Sequence, residues 1–251
     1  MLGRFAFASP DGDNGFMIDR RSRDEMGKAI RDYMEERIAA FDLADSLDCI
    51  AHATKDETVK LVGKLMWFHY DDLKDHKIVA SKQEWDYFNR LLLLLESEVE
   101  AEFVKTHASW RAEQAVAALC LAGFVFVALR SGFGKSLFVY TLLSGAVSML
   151  LVRLRLRGWE KPSPAKIAIT PFPSIASLLS IRRRVTMFAR KRYPKSIAGR
   201  RIRNPFVETV RWIPTGVLWL VFSPIVLLIQ MLPHRQLEPR IEMPKPERAA
   251  R

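Results

Sequence analysis

Three long apolar stretches divide this chain, and the charged residues around them are sorted by position. Residues 1–112 carry 16 Lys and Arg against 22 Asp and Glu, a net charge of −6. Residues 153–211 carry 16 basic residues against Glu160 and Glu208, a net charge of +14. Basic residues beside membrane-spanning segments are retained on the cytoplasmic side, where anionic lipid headgroups also lie. The pattern predicts a membrane protein whose basic part faces the cytoplasm.

The first two apolar stretches, residues 115–129 and 136–152, contain no charged residue and are joined by only six residues. A link that short requires an antiparallel helical hairpin. At about 1.5 Å per residue the first stretch covers roughly 22 Å, so flanking residues must extend it across a hydrocarbon core of about 30 Å. A transmembrane hairpin over residues 113–152 is therefore predicted, and a buried hairpin in a soluble core is the alternative.

The third stretch, residues 212–232, is long enough to cross but contains Pro214 and Pro224. Pro224 removes a backbone donor in mid-stretch and should kink the helix or divide it. Three crossings are the first interpretation, and they would place the tail, residues 233–251, on the far side with five basic and three acidic residues. Two crossings and a re-entrant segment, which keep the tail on the cytoplasmic side, are the second. Residues 167–181, interrupted by Pro171 and Pro173, are predicted to lie at the interface.

The N-terminal domain, residues 1–112, is predicted to be a cytoplasmic helical bundle, because residues 1–10 lack a signal-peptide core. Three capping boxes begin its helices, Ser22 with Glu25, Thr54 with Glu57 and Ser81 with Glu84. Apolar residues recur after each at helical spacing. These are Met26, Ile30, Tyr33, Met34, Ile38 and Phe41, then Val59, Val62, Leu65, Met66 and Phe68, then Trp85, Phe88, Leu91, Leu92, Leu95, Val99 and Phe103.

Two further features of this domain follow from its glycines and prolines. No glycine or proline occurs from Lys82 through Phe103 to Ala122, so the last helix could continue into the first membrane segment as one rigid stalk. A turn-rich sequence over residues 10–15, flanked by apolar residues, is consistent with a small N-terminal β-hairpin. The predicted fold class is an all-α integral membrane protein with this hairpin as its one addition.

Small residues recur four apart in the predicted hairpin, at Ala118 and Ala122 and at Ser144 and Ser148, with Gly145 beside them. Such spacing lets helices approach closely in lipid. These five positions are the candidate helix-packing and oligomer contacts, although small residues are also common in membrane helices. We expect a homo-oligomer.

The basic part, residues 153–211, has two interpretations of different class. Basic and apolar residues alternate there, which suits docking on anionic lipid headgroups, and the same charges could follow the phosphates of nucleic acid. The adjoining apolar stretches favour lipid. The candidate residues are Arg182, Arg183, Arg184, Arg190, Lys191, Arg192, Arg200 and Arg201.

The sequence shows no arrangement of Ser, Cys or His that indicates a nucleophile, and Cys49 and Cys120 form no zinc or disulfide pattern. His69, Asp72 and His76 lie at helical spacing and are the weak metal-ligand candidates, without a second cluster to support them. We therefore expect no cofactor, no bound metal and no enzymatic activity.

The predicted protein is a bacterial inner-membrane protein whose cytoplasmic domain binds a protein partner or signal while the membrane part anchors or responds. Defence or stress effectors and subunits of membrane machines share this plan. A membrane-tethered nucleic-acid-binding protein is the alternative.

Overall fold

The computed structural model describes residues 18–69, 74–105, 112–132, 134–158, 164–233 and 237–242. Within these ranges the protein is mostly helical, as predicted. The predicted N-terminal hairpin falls on residues 1–17 and lies outside the described residues, as do Asp72 and the turn residue Phe133.

Four helices form the N-terminal domain: α1 (Arg20–Met34), α2 (Ala40–Ala53), α3 (Glu57–Trp67) and α4 (Lys82–Glu96). The three predicted apolar faces supply much of the core, in which Met26, Ile30, Val59, Val62 and Leu91 are completely buried. The first predicted face, Met26 to Phe41, is divided between α1 and α2, which the sequence did not separate. Two predicted core residues are exposed instead. Phe68 is 74% exposed because it follows the last turn of α3, and Phe41 is 42% exposed in the first turn of α2.

Only one of the three predicted capping boxes is correct. At Ser81 both bonds form, since the hydroxyl accepts from the Glu84 amide and the Glu84 carboxylate accepts from the Ser81 amide. The other two helices begin at aspartates, where Asp19 accepts from the Ser22 amide and Asp56 from the Thr58 amide. Their carboxylate oxygens accept backbone N–H groups at the positive end of each helix and replace the predicted hydroxyls.

A buried guanidinium ties the helices together. Arg23 on α1 is 1% exposed, and its Nε donates to Asp56 Oδ2 over 2.6 Å. Its Nη1 donates to the carbonyl oxygens of Ser97 and Val99, at 2.7 and 3.0 Å. A charge can be buried only when it is paired and its donors are satisfied, as they are here. Arg23 therefore fixes α1 and α3 against the chain that follows α4.

That chain is a strand, and this corrects two predictions. After α4 ends at Glu96, β1 (Glu100–Lys105) pairs antiparallel with β2 (Leu237–Glu242), with Ala101 opposite Ile241. The fold is therefore not all-α, and α4 does not continue into the membrane segment as a stalk. The Ala101 amide donates to Thr58 Oγ1, and the Ala101 side chain is buried, so the strand is held on α3 as well as by β2.

The remaining elements follow in chain order: α5 (Ala112–Ser131), α6 (Lys135–Gly158), α7 (Pro164–Ile169), α8 (Ile175–Arg184), a 3₁₀ turn (Lys195–Ile197), α9 (Pro205–Val221) and α10 (Ser223–Met231). Phe172, Ile181 and Ile197, which lie in or beside α8 and the 3₁₀ turn, are buried in the same core as the N-terminal domain. The part of the chain between α6 and α9 thus packs on the N-terminal domain.

Candidate membrane-facing site

Two helices, α5 and α6, are long and apolar enough to cross a membrane. The 20 residues of α5 would extend about 30 Å, the thickness of a hydrocarbon core. Their large apolar side chains are directed outward, since Leu119 is 73% and Leu129 83% exposed on α5 and Phe138 is 62% exposed on α6. Soluble proteins rarely leave continuous apolar surface of this kind uncovered.

The third apolar stretch forms a bent pair, which we define as Trp212–Val221 of α9 and Ser223–Met231 of α10. The chain bends by 80° between the two helices. Pro224 lies in the first turn of α10, where its missing N–H costs little. Pro214 lies within α9. The predicted break at Pro224 is present, and it begins a new helix.

Polar side chains join the bent pair to α6. The buried Ser223 hydroxyl donates to the Thr141 carbonyl over 2.9 Å and lies 3.3 Å from Ser144 Oγ. Farther along α6, Ser148 Oγ accepts from Trp219 Nε1, and it donates to Gln230 Oε1, both over 3.1 Å. These bonds satisfy polar groups that would be costly to expose to hydrocarbon.

The predicted helix-packing residues fall into two places. Ser144 and Ser148 are buried against the bent pair, and a Cβ atom at Gly145 would lie 2.9 Å from Leu220 Cδ2. These three small residues therefore allow close packing within one chain. Ala118 and Ala122 instead line a shallow apolar groove on the outer face of α5, together with Leu121, Val125, Phe126 and Leu129. A role of any of the five in an oligomer stays a prediction.

Three of the eight predicted basic residues bind the acidic N-terminal domain. Arg190 pairs with Asp86 over 2.5 Å, Lys191 with Glu35, and Arg200 with Glu36 over 2.9 Å. Burial lowers the pKa of Lys191, because removing an ammonium from water disfavours its charged form. The charge difference that was evident in the sequence is thus partly neutralised inside the molecule.

We call the other five residues together the arginine surface, of which the first three are consecutive at the end of α8: Arg182, Arg183, Arg184, Arg192 and Arg201. All five are exposed, and no carboxylate in the described part of the chain pairs with them. Exposed apolar side chains accompany them, with Ile175 59%, Leu179 46% and Met187 91% exposed. Whether the eight basic residues bind lipid or nucleic acid stays a prediction, but only the arginine surface is free of internal ion pairs.

Asn89 and Trp85 hold the backbone of the basic part, a role that the sequence did not reveal. Asn89 Oδ1 accepts from the Lys191 amide over 2.9 Å, and Trp85 Nε1 donates to the Lys191 carbonyl over 2.9 Å. Tyr193 adds a bond from its hydroxyl to the Ala80 carbonyl. The one available signal was a lone asparagine on the apolar face of α4, where an unsatisfied amide would be costly.

The weak metal candidates are not assembled into a site by the residues that are described. The His69 ring packs against Tyr87 and Phe88, with Nδ1 3.9 Å from Glu84 Oε1, and burial lowers its pKa. Nδ1 of His76 lies 2.8 Å from the Lys77 carbonyl. No group of three potential ligands occurs within the described ranges, and Asp72 lies outside them.

No protein-family model matches this chain, and no curated protein or solved structure matches it either. The fold and its exposed apolar surface therefore define a helical protein with two or three helices that are apolar enough to cross a membrane.

Proposed function

We propose that the protein is a non-enzymatic membrane protein of the bacterial inner membrane, in which the N-terminal domain and the basic part form one cytoplasmic body. The observation that supports this most is the shared core. Phe172 and Ile181 of the basic part are buried in the same core as the N-terminal helices, and the apolar helices α5 and α6 lie between these two parts in the chain. Because the chain leads from this body into α5 and returns to it from α6, we expect these two connections to hold the body at the membrane surface.

The arginine surface is the part that would bind anionic lipid headgroups. Its five guanidinium groups are exposed, and each charge near an anionic membrane contributes about 1 kcal/mol. Ile175 and Leu179 lie one turn apart on α8 and offer apolar contact beside the charges. Charged and apolar groups together on one face are typical of interfacial helices.

The full chain in nanodiscs tests this proposal. We expect slower amide exchange in α8 with anionic lipid than with neutral lipid. Changing all five residues of the arginine surface to Gln should abolish that difference. The matched control changes Arg190, Lys191 and Arg200 to Gln, which should speed exchange in both lipids because the segment loosens from the N-terminal domain. Equal exchange of the unaltered protein in both lipids would refute lipid binding.

Nucleic-acid binding is the second candidate, because five exposed arginines without carboxylate partners could equally contact phosphates. The same variants distinguish it. If the unaltered protein in neutral nanodiscs binds duplex DNA with a steep salt dependence, and the five-residue variant does not, the arginine surface binds nucleic acid.

A cytoplasmic protein partner would find exposed aromatic side chains on the N-terminal domain. Phe41 begins α2, and Trp67 and Phe68 end α3, with 42%, 48% and 74% of their surface exposed. Aromatic residues are enriched in protein interfaces. We place the partner-binding surface there, and crosslinking from a photoreactive residue at Phe68 in cells would test it.

Self-association would use the groove on α5. Replacing Ala118 and Ala122 by Leu should reduce crosslinked oligomers in detergent, because added bulk separates helices that attract by close contact. Leu119→Ile is the control. Gly145→Leu is unsuitable for this purpose, since it would displace Leu220 within the same chain.

A further inference from the structure

The pairing of β1 with β2 determines on which side of a membrane the chain ends. β1 immediately precedes α5, and β2 follows the bent pair after a short connection. A strand ladder cannot form across a bilayer. If α5 and α6 each cross once, the bent pair must return to the side from which it entered.

Contacts with α6 show how deep in the membrane each arm of the bent pair lies. Ser144 is at the centre of the 19-residue span Lys135–Arg153, and Ser223, at the bend, lies against it. Trp219 in the first arm and Gln230 in the second both reach Ser148, which is one turn closer to the N-terminal domain. The bend is thus the deepest point, and both arms leave it toward the same side.

The far end of α10 provides an independent marker. Gln114 Nε2, in the first turn of α5, donates to the Leu232 carbonyl over 2.9 Å. Since Ser223 lies beside Ser144 and Leu232 beside Gln114, α10 runs from the middle of the α6 span to the level where α5 begins. Its nine residues cover about 14 Å along the helix axis, and the 80° bend means that the two arms cannot both lie along the membrane normal. The ten residues of the other arm, Trp212–Val221, cover about 15 Å.

The leaflet on the side of the N-terminal domain consequently contains α5, α6 and both arms, whereas the opposite leaflet contains α5 and α6 alone. Each helix occupies roughly 80 Å² in cross-section, given a diameter of about 10 Å, and tilted arms occupy more. Added volume in one leaflet expands that leaflet relative to the other, as interfacial helices do.

We propose that the bent pair is a re-entrant wedge, and that the protein consequently favours membranes that are convex on the side of its N-terminal domain. The partner of the wedge is the lipid bilayer itself. This inference rests on the proposed function, because it requires that α5 and α6 span the membrane.

Cysteine labelling of the full chain tests the topology. Cys49→Ser and Cys120→Ala provide the background, to which Ser131→Cys, Ser196→Cys or a cysteine added after Arg251 is introduced singly. In inside-out vesicles an impermeant maleimide should label the second and third but not the first. Protection of the C-terminal cysteine together with Ser131→Cys would mean a full crossing and would overturn the wedge. Release of the chain by alkaline carbonate would overturn membrane insertion itself, which is a separate failure.

The curvature preference is tested in giant vesicles of neutral lipid from which thin tethers are pulled outward. Labelling Ser196→Cys from outside selects molecules whose N-terminal domain faces outward. We expect their density on the tether to exceed that on the giant vesicle by about two-fold or more. A chain truncated after Asn204, which lacks the bent pair, should show no enrichment, whereas truncation after Glu242 should preserve it. Absence of enrichment in the full chain, or equal enrichment after truncation at Asn204, would overturn the proposal.

Discussion

Tyr33 of the N-terminal domain and Tyr193 of the basic part differ in what their hydroxyl groups contact. The Tyr33 side chain is 1% exposed, and its hydroxyl has no hydrogen-bond partner among the described residues. The Tyr193 hydroxyl donates to the Ala80 carbonyl over 3.0 Å. Burial raises the pKa of Tyr33, so the group remains a neutral phenol.

Replacing each tyrosine by Phe should therefore change stability in opposite directions. Tyr33→Phe removes a buried polar group without a bond and should raise the free energy of unfolding by up to about 1 kcal/mol. Tyr193→Phe breaks a bond and should lower it by about 1 kcal/mol. Pulse proteolysis of the detergent-solubilised chain in urea, read through an N-terminal tag, measures both. Destabilisation by Tyr33→Phe equal to that by Tyr193→Phe would contradict this expectation.

His69 should make the stability of the N-terminal domain depend on pH. Burial lowers its pKa below the ordinary value of 6.5, and the nearby Glu84 opposes this only in part. The unfolded chain therefore takes up a proton first, and the free energy of unfolding falls as the pH drops below about 6.5. His69→Phe should reduce that fall in the free energy of unfolding. Urea midpoints measured across this pH range by the same pulse proteolysis test it, and an unchanged fall would refute it.

Single residues also show the limits of sequence analysis at this scale. The capping box at Ser81 was predictable, because both of its partners are local. Asp19 and Asp56 were not identified as helix caps, because hydroxyl and carboxylate candidates occurred within three residues of one another. Only the tertiary bond from Thr54 to Asp19 shows why the hydroxyl is used elsewhere.

At the scale of elements, helices α1, α3 and α4 could be predicted because their apolar spacing is local. Helix α2 (Ala40–Ala53) was not predicted as a separate element, because the first predicted apolar face continues from Met26 to Phe41. The position of the basic part on α4 could not, because it depends on bonds to backbone groups, which sequence patterns do not show. Arg90 illustrates this, since its Nε donates to the Thr170 carbonyl over 2.6 Å and its Nη2 to the Ile167 carbonyl over 3.0 Å. The charge pattern predicted a membrane orientation, and it did not predict that the basic part packs on the N-terminal domain.

Asn89 is the residue whose loss should loosen this attachment most selectively. It is 3% exposed and contacts both the amide and the carbonyl of Lys191. Asn89→Ala leaves the partly buried Lys191 amide without its acceptor, at a cost of about 1–3 kcal/mol, while the Lys191 carbonyl keeps its bond from Trp85. Hydrogen exchange in residues 186–193 should accelerate about tenfold or more. Arg192→Gln, at an exposed position without an ion pair among the described residues, is the control and should change exchange little. Equal effects of the two would show that Asn89 does not hold the segment.

At the scale of the whole molecule, the sequence left two membrane topologies open. The proline at the break was visible, yet the first interpretation was three crossings. The observation that favours the second lies in β1 and β2, which are separated by most of the chain and which no local pattern pairs. Both are short, and an isolated two-stranded sheet is only marginally stable in water. Their stability must come from what they pack against.

The packing of β1 indicates what should happen when its pairing with β2 is lost. Ala101 is buried, and Phe103 and Ile241 pack on the core of the N-terminal domain, so β2 covers β1 and completes that core. Removal of β2 by truncation after Pro233 should increase amide exchange in β1 by about tenfold or more, because its ladder bonds are lost. Truncation after Glu242 keeps every ladder residue and should leave that exchange unchanged.

The same pair of truncations shows whether the bent pair is held by its contacts with α6 or by the β1–β2 ladder. Its contacts with α6 through Ser144 and Ser148 remain when β2 is removed, so we expect Trp219 to stay protected from water-soluble quenchers while β1 opens. That outcome would mean that the polar contacts hold the bent pair in place and that the β1–β2 ladder completes the core of the N-terminal domain independently. Loss of both protections together would mean that the strands hold the bent pair as well. The β1–β2 ladder would then link the N-terminal domain mechanically to the membrane, and a partner that pulled on β1 would reach the bend through a single continuous connection.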